Sequence, residues 1–199
     1  DLANENMARY NKNAAIVYNT FQLYRKDRLA YLKTSLEMGK TNGYHVGAKL
    51  VRGAYMEKER ARAVEMNYPS PIQDTKANSD KDYDLAVEFC VENIDRMGLC
   101  AGTHNEKSSL LLVDLMKKKN IAANDKRIFF SQLLGMSDHI SYNLSQNGYN
   151  VAKYVPYGPV KEVLPYLIRR AQENTSVKGQ TGRELSLIIK EKERRSKAK

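Results

Sequence analysis

Short apolar runs and amphipathic helical stretches alternate five times along this chain, and that alternation limits its fold more than any other feature. Residues 14–18 (AAIVY) read as a buried strand, because β-branched residues crowd a short apolar run. Residues 46–51, 99–103, 128–131 and 151–155 read the same way. Between them, residues 21–40, 81–97, 106–119 and 135–146 carry apolar side chains at three- and four-residue spacing, the pattern of helices with one buried face. Leu23, Leu29, Leu32 and Leu36 mark that face in the first helix, and Leu85, Ala86, Phe89 and Ile94 in the second. Asn42-Gly43 is a helix stop, and Lys117, Lys118 and Lys119 suit a helix C-terminus. Residues 68–79, with Pro69 and Pro71, read as a loop.

Strand-helix alternation predicts an α/β fold: parallel strands joined by crossover helices. Two architectures satisfy it, a (βα)8 TIM-type barrel and an open doubly wound sheet, and periodicity does not separate them. Both place ligands at the C-terminal ends of the strands. The polar and unusual residues cluster there: Gln22, residues 52–55, 103–106 and 132–136, and Tyr154.

After the last strand comes YVPYGPVKEVLPYLIRRAQENTS, residues 154–176. Gly158 supplies a turn, and Pro159 stands where a helix start tolerates proline. Val160, Val163, Leu164, Leu167, Ile168 and Ala171 make an apolar stripe, with Tyr166, Arg169 and Arg170 on the other side. Adjacent guanidinium groups can grip a carboxylate in a bidentate way. For an isolated Arg-Arg pair, a solvated basic face is the commoner explanation. Residues 180–199 read as a separate last helix and basic tail, and residues 1–179 as the α/β unit.

Composition narrows the function classes. No apolar run among the 199 residues is long enough to span a membrane, and the polar start lacks the apolar core of a signal peptide. Cys90 and Cys100 make no disulfide framework and read as free thiols in a reducing compartment. The net charge is +10, of which the last ten residues supply +4. A basic surface suits nucleic acid, an anionic membrane or an anionic ligand. Zinc spacings and RNA-binding signatures are absent, so nucleic acid is not the expected partner. No HxH or HExxH spacing surrounds the three histidines, so no metal site is expected. Neither a GxGxxG nor a GxxxxGK[ST] sequence occurs.

Four stretches taken together resemble the proline dehydrogenase family: KLVRGAYMEKE at 49–59, THNE at 103–106, SQLLGM at 131–136, and the Tyr-Leu-x-Arg-Arg helix. The resemblance implies a distorted (βα)8 barrel, of which about the last five units are present. It implies FAD-dependent oxidation of L-proline to Δ1-pyrroline-5-carboxylate, with electrons passed to a quinone and a possible peripheral membrane contact. Lys49, Tyr154, Arg169 and Arg170 are then the expected catalytic residues. Arg169 and Arg170 clamp the carboxylate, Tyr166 packs on the proline ring, and Leu133, Ala54, Tyr55 and Tyr154 line the slot. Toward the flavin the resemblance implies Gln22, Lys49, Val51, Gly53, Lys76, Thr103, His104, Asn105, Gln132, Arg170, Glu173 and Ser176. Lys49 stands where some relatives have arginine, which keeps the charge and loses the fork. Tyr154 favours proline over 4-hydroxyproline, since relatives that prefer the latter have a smaller residue there. The family's earlier strands have no counterpart in the chain. The expected location is the bacterial cytoplasm or inner membrane face, with the mitochondrion as the alternative. The rival readings are an inactive member of the family and, from another class, a basic nucleic-acid or membrane-surface module.

Overall fold

The predicted alternation becomes one parallel sheet. The computed structural model describes residues 2–176 and 180–197. Strands β1 (Tyr18–Gln22), β2 (Val46–Val51), β3 (Met97–Gly102), β4 (Ile128–Leu133) and β5 (Val151–Tyr154) lie side by side in chain order, all parallel. Helix α1 (Leu2–Tyr10) precedes them, and α2 (Arg28–Thr41), α3 (Met56–Glu65), α4 (Lys76–Glu92), α5 (Glu106–Lys118) and α6 (Asp138–Gln146) fill the crossovers. A strand order that never reverses has no switch point, so the winding is that of a barrel and not of a doubly wound sheet. Right-handed crossovers running in one direction put the helices on one face. Accordingly α2 packs on β1 and β2, α4 on β2 and β3 and also on α2 and α5, and α6 on β4 and β5.

Contacts divide the chain into two compact units, Asp1–Tyr154 and Val155–Lys199. The second holds α7 (Val160–Ser176) and α8 (Gln180–Lys197). Among the described residues no helix is long and apolar enough to cross a membrane.

Several element boundaries differ from the sequence reading: α4 ends at Glu92 and Met97 joins β3, β4 runs on to Leu133, α6 starts at Asp138, and the starts of β1, α2 and α4 all shift. The first strand starts at Tyr18, four residues later than expected, and Phe21 lies in it, not in a helix. Asn11 explains the shift. Its side-chain Oδ1 accepts from the Ile16 and Val17 N–H groups, and its side-chain Nδ2 donates to the Val17 and His45 carbonyls. The backbone of the apolar run thus finds its partners on a side chain and not in the sheet. The helix predicted from residue 21 begins at Arg28. The helix predicted over 81–97 begins at Lys76, because Thr75 caps it by accepting from the Asn78 N–H at 3.1 Å.

The core lies between sheet and helices. Val46, Ala48 and Leu50 from β2, Met97, Leu99 and Ala101 from β3, and Ile128 and Phe130 from β4 point into it. They meet Leu32, Leu36, Val87, Cys90, Leu112 and Met116. Burying each large aliphatic chain there contributes about 1.5–3 kcal/mol. The intervening strand residues face the other way, as period two requires. On that face, Ala15 and the first residue of β1 close the N-terminal end: a Cβ on Gly98 would stand 2.6 Å from the Tyr18 hydroxyl oxygen and 2.7 Å from the Ala15 Cβ. The C-terminal ends carry the polar residues.

Candidate functional site

Strand parity brings Gln22, Lys49, Val51, Leu133 and Tyr154 to the face opposite the core. Gln22 pairs in register with Val51, and Leu133 with Tyr154. Lys49 Nζ lies 5.2 Å from the centre of the Tyr154 ring. Three strand spacings separate β2 from β5, about 14 Å on a flat sheet. The contact therefore reports a sheet curved around this face, with two long side chains reaching across it. Lys49 has no hydrogen bond or ion pair among the described residues, and neither does the half-buried Gln22 amide. Lys49 stands opposite Cys100 in register. Burial raises the Cys100 thiol pKa, with the Lys49 charge and a Ser131 hydrogen bond opposing it. Both cysteines are free thiols.

Arg52, at the end of β2, gathers four elements. Its Nε donates to Asp80 of α4, its Nη1 to the Thr103 hydroxyl at 2.8 Å, and its Nη2 to the Ser108 hydroxyl at 3.0 Å. The guanidinium carbon lies 4.3 Å from the Tyr83 ring centre. Asp80 also accepts from Lys76 Nζ at 2.6 Å. Burial alone would raise the Asp80 carboxyl, but Lys76 and Arg52 hold it below the usual carboxylate range. Gly53 follows with φ +119°, a backbone that side chains rarely adopt, and a Cβ there would fall inside the Tyr24 ring. The space the glycine leaves is thus filled by the protein itself. Ala54 is half-buried, and Tyr55 is exposed beside α3, with Lys58 Nζ 5.9 Å from its ring centre.

The end of β3 is a tight polar corner. The Thr103 hydroxyl accepts from the Asn105 N–H at 3.0 Å as well as from Arg52. Asn105 caps α5, accepting from the Lys107 and Ser108 N–H groups. His104 Nδ1 lies 2.9 Å from the Ser137 hydroxyl, and His139 Nε2 lies 2.9 Å from a Glu106 carboxylate oxygen. Gln132 belongs to the core-facing set, buried behind this corner. Its amide donates to the Thr103 carbonyl at 3.2 Å, and its oxygen accepts from Ser141 at 3.0 Å. Among the described residues no three histidine, cysteine or carboxylate groups could hold a metal ion.

In the second unit, α7 starts after Pro159, whose carbonyl accepts from the Glu162 and Val163 N–H groups. Pro165 lies inside it and leaves the Lys161 carbonyl without its helical donor. Tyr166, Arg169 and Arg170 stand at i, i+3 and i+4, with guanidinium carbons 5.9 Å and 5.2 Å from the tyrosine ring centre. The side chains of Glu173 and Ser176 lie outside the described residues.

Sequence reasoning missed the junction around Arg52. Arg52 itself was legible as a strand-end residue, but nothing in the sequence pointed to Asp80, Ser108 or Tyr24 as its neighbours.

The proline dehydrogenase family model matches residues 1–183. Mitochondrial proline dehydrogenase 1 of Drosophila melanogaster is 42% identical over 96% of this chain and 30% of its own length. A hydroxyproline dehydrogenase of Xenopus laevis is 40% identical over 95% of this chain and 41% of its own. The chain thus spans about a third of the length of the curated relatives it matches. Among solved structures, proline utilization A from Bdellovibrio bacteriovorus, in a form inactivated by N-propargylglycine, superposes with a TM-score of 0.75 at 30% identity, over 80% of this chain and 16% of that one. With its family-model match, its relatives and its parallel barrel-type sheet in agreement, this chain belongs to the proline dehydrogenase family.

Proposed function

We propose that this chain forms part of an enzyme that oxidises L-proline to Δ1-pyrroline-5-carboxylate with FAD, passing the electrons to a quinone. The meeting of Lys49 with Tyr154 carries the reading. An ammonium above an aromatic ring, with no carboxylate partner among the described residues, favours an electron-rich group beside it. The Gln22 amide on the same face offers both a donor and an acceptor. That donor set fits the polar edge of an isoalloxazine.

FAD, when bound, supplies the hydride acceptor. Lys49 supplies positive charge and, from the neighbouring strand, Gln22 a hydrogen bond at that edge, with Val51 and Gly53 further along the strand end that carries Lys49. Thr103, His104 and Asn105 form the polar corner for the ribityl and phosphate groups, and Lys76 adds a cation. Gln132 supports that corner from behind, and Glu173 and Ser176 serve the adenosine half. For the substrate, Arg169 and Arg170 supply forks for the carboxylate. Tyr166 offers the proline ring an aromatic face, and on the first unit Leu133, Ala54, Tyr55 and Tyr154 offer it apolar and aromatic surface.

Relatives named as mitochondrial support a mitochondrial location. The +10 charge suits peripheral contact with an anionic, quinone-bearing membrane. The test is the visible spectrum of the chain loaded with FAD, before and after L-proline is added without oxygen. Bleaching of the flavin band is expected. A bound flavin that stays oxidised would refute the reading.

A further inference from the structure

We infer that Arg52 is a positioning residue for the cofactor corner at residues 103–105, an inference that rests on the function proposed above. Arg52 shares strand parity with the core residues Ala48 and Leu50, so it lies behind the face that carries Lys49. Its guanidinium donates in three directions, to Asp80, Thr103 and Ser108, and is covered by the Tyr83 ring. Its backbone is held too, since its carbonyl accepts from the Tyr24 N–H at 2.8 Å. A charge so engaged acts on a ligand through its partners.

The partners form a closed circuit. Arg52 fixes the Thr103 hydroxyl, which accepts from the Asn105 N–H. Asn105 caps α5 by accepting from Lys107 and Ser108, and the Ser108 hydroxyl returns to Arg52 while donating to Asp84 at 2.6 Å. Thr103, Asn105 and the first turn of α5 therefore take their orientation from one planar group. A lysine keeps the charge but cannot donate along three fixed directions. Asp80, shared with Lys76, ties the same guanidinium to the further cation proposed for the cofactor phosphates.

The experiment is a double-mutant cycle on FAD affinity, read by quenching of flavin fluorescence in the full chain. Arg52→Gln is expected to weaken binding about tenfold or more, the scale of a lost hydrogen bond from a charged donor. Thr103→Val is expected to weaken it as well. If Arg52 acts through Thr103, the double variant loses no more than the weaker-binding single variant. A merely structural role predicts additive losses instead. Additive losses, or wild-type affinity in Arg52→Gln, overturn the inference. Should Arg52→Gln fail to fold, Arg52→Lys takes its place in the cycle, expected to keep the fold and still lose affinity. A wild-type chain without FAD affinity overturns the proposed function and this inference with it. Tight wild-type binding with additive variants overturns the role of Arg52 alone.

Discussion

Replacing Gly53 by alanine separates two explanations for that glycine. If it serves only close approach of the cofactor, the protein without flavin tolerates a methyl group there. The structure assigns the space to Tyr24 instead. A Cβ on Gly53 would fall among the ring atoms, with Tyr24 Cγ 2.9 Å away. The ring has little room to yield, because Tyr24 is 3% exposed. Its backbone is also fixed, the N–H donating to the Arg52 carbonyl at 2.8 Å and the carbonyl accepting from Gln73 at 2.7 Å. The φ of +119° adds strain of its own. Backbone strain costs about 1–3 kcal/mol, and overpacking a filled space about 1–3 kcal/mol more. A loss of about 3 kcal/mol lowers the thermal midpoint of a chain this size by about 6–12 °C. Circular dichroism melts of the flavin-free protein provide the assay. In a Tyr24→Ala background the same change should cost only the backbone share. A Gly53→Ala midpoint within about 2 °C of wild type would refute the packing argument.

Other expectations follow from the same geometry. Tyr154→Ser removes the ring under Lys49 and widens the slot, so the ratio of kcat/KM for proline over 4-hydroxyproline should fall; an unchanged ratio would remove Tyr154 from the pocket wall. Arg170→Ala should raise the KM for proline by about tenfold or more, as expected for a carboxylate that loses a charged donor, and an unaltered KM would reject the clamp. Asp80 has a depressed folded pKa, so its contribution to stability is complete above the unfolded carboxylate value of about 3.9 and disappears as pH falls through the folded value. Thermal midpoints should therefore drop below about pH 4, and less steeply in Asp80→Asn. Equal slopes in the two proteins would show that Asp80 does not carry this dependence.

Much of the fold was legible because its signals are local. β2 starts and ends where the apolar run does, and Asn105 was recognisable within THNE as part of a strand-end corner. The misplaced first strand shows the limit of such signals. AAIVY has the composition of a strand, yet the Asn11 side chain satisfies its backbone from outside the sheet. Gln132 shows a second limit. Its motif marks it as a residue for the cofactor, but its place on the core side and its hydrogen bonds to Thr103 and Ser141 are legible only in the structure.

The sequence by itself determined the alternation of strand and helix, the strand ends as the place for chemistry, and the residue types available there. These follow from the periods of two and 3.6 residues, which are properties of the backbone alone. Only the tertiary structure decided that the strands run in unbroken order, that Lys49 reaches Tyr154, and that Arg52 binds residues 28, 51 and 56 positions away. Those pairings depend on sheet curvature and on how the crossover helices pack, and no local period encodes either.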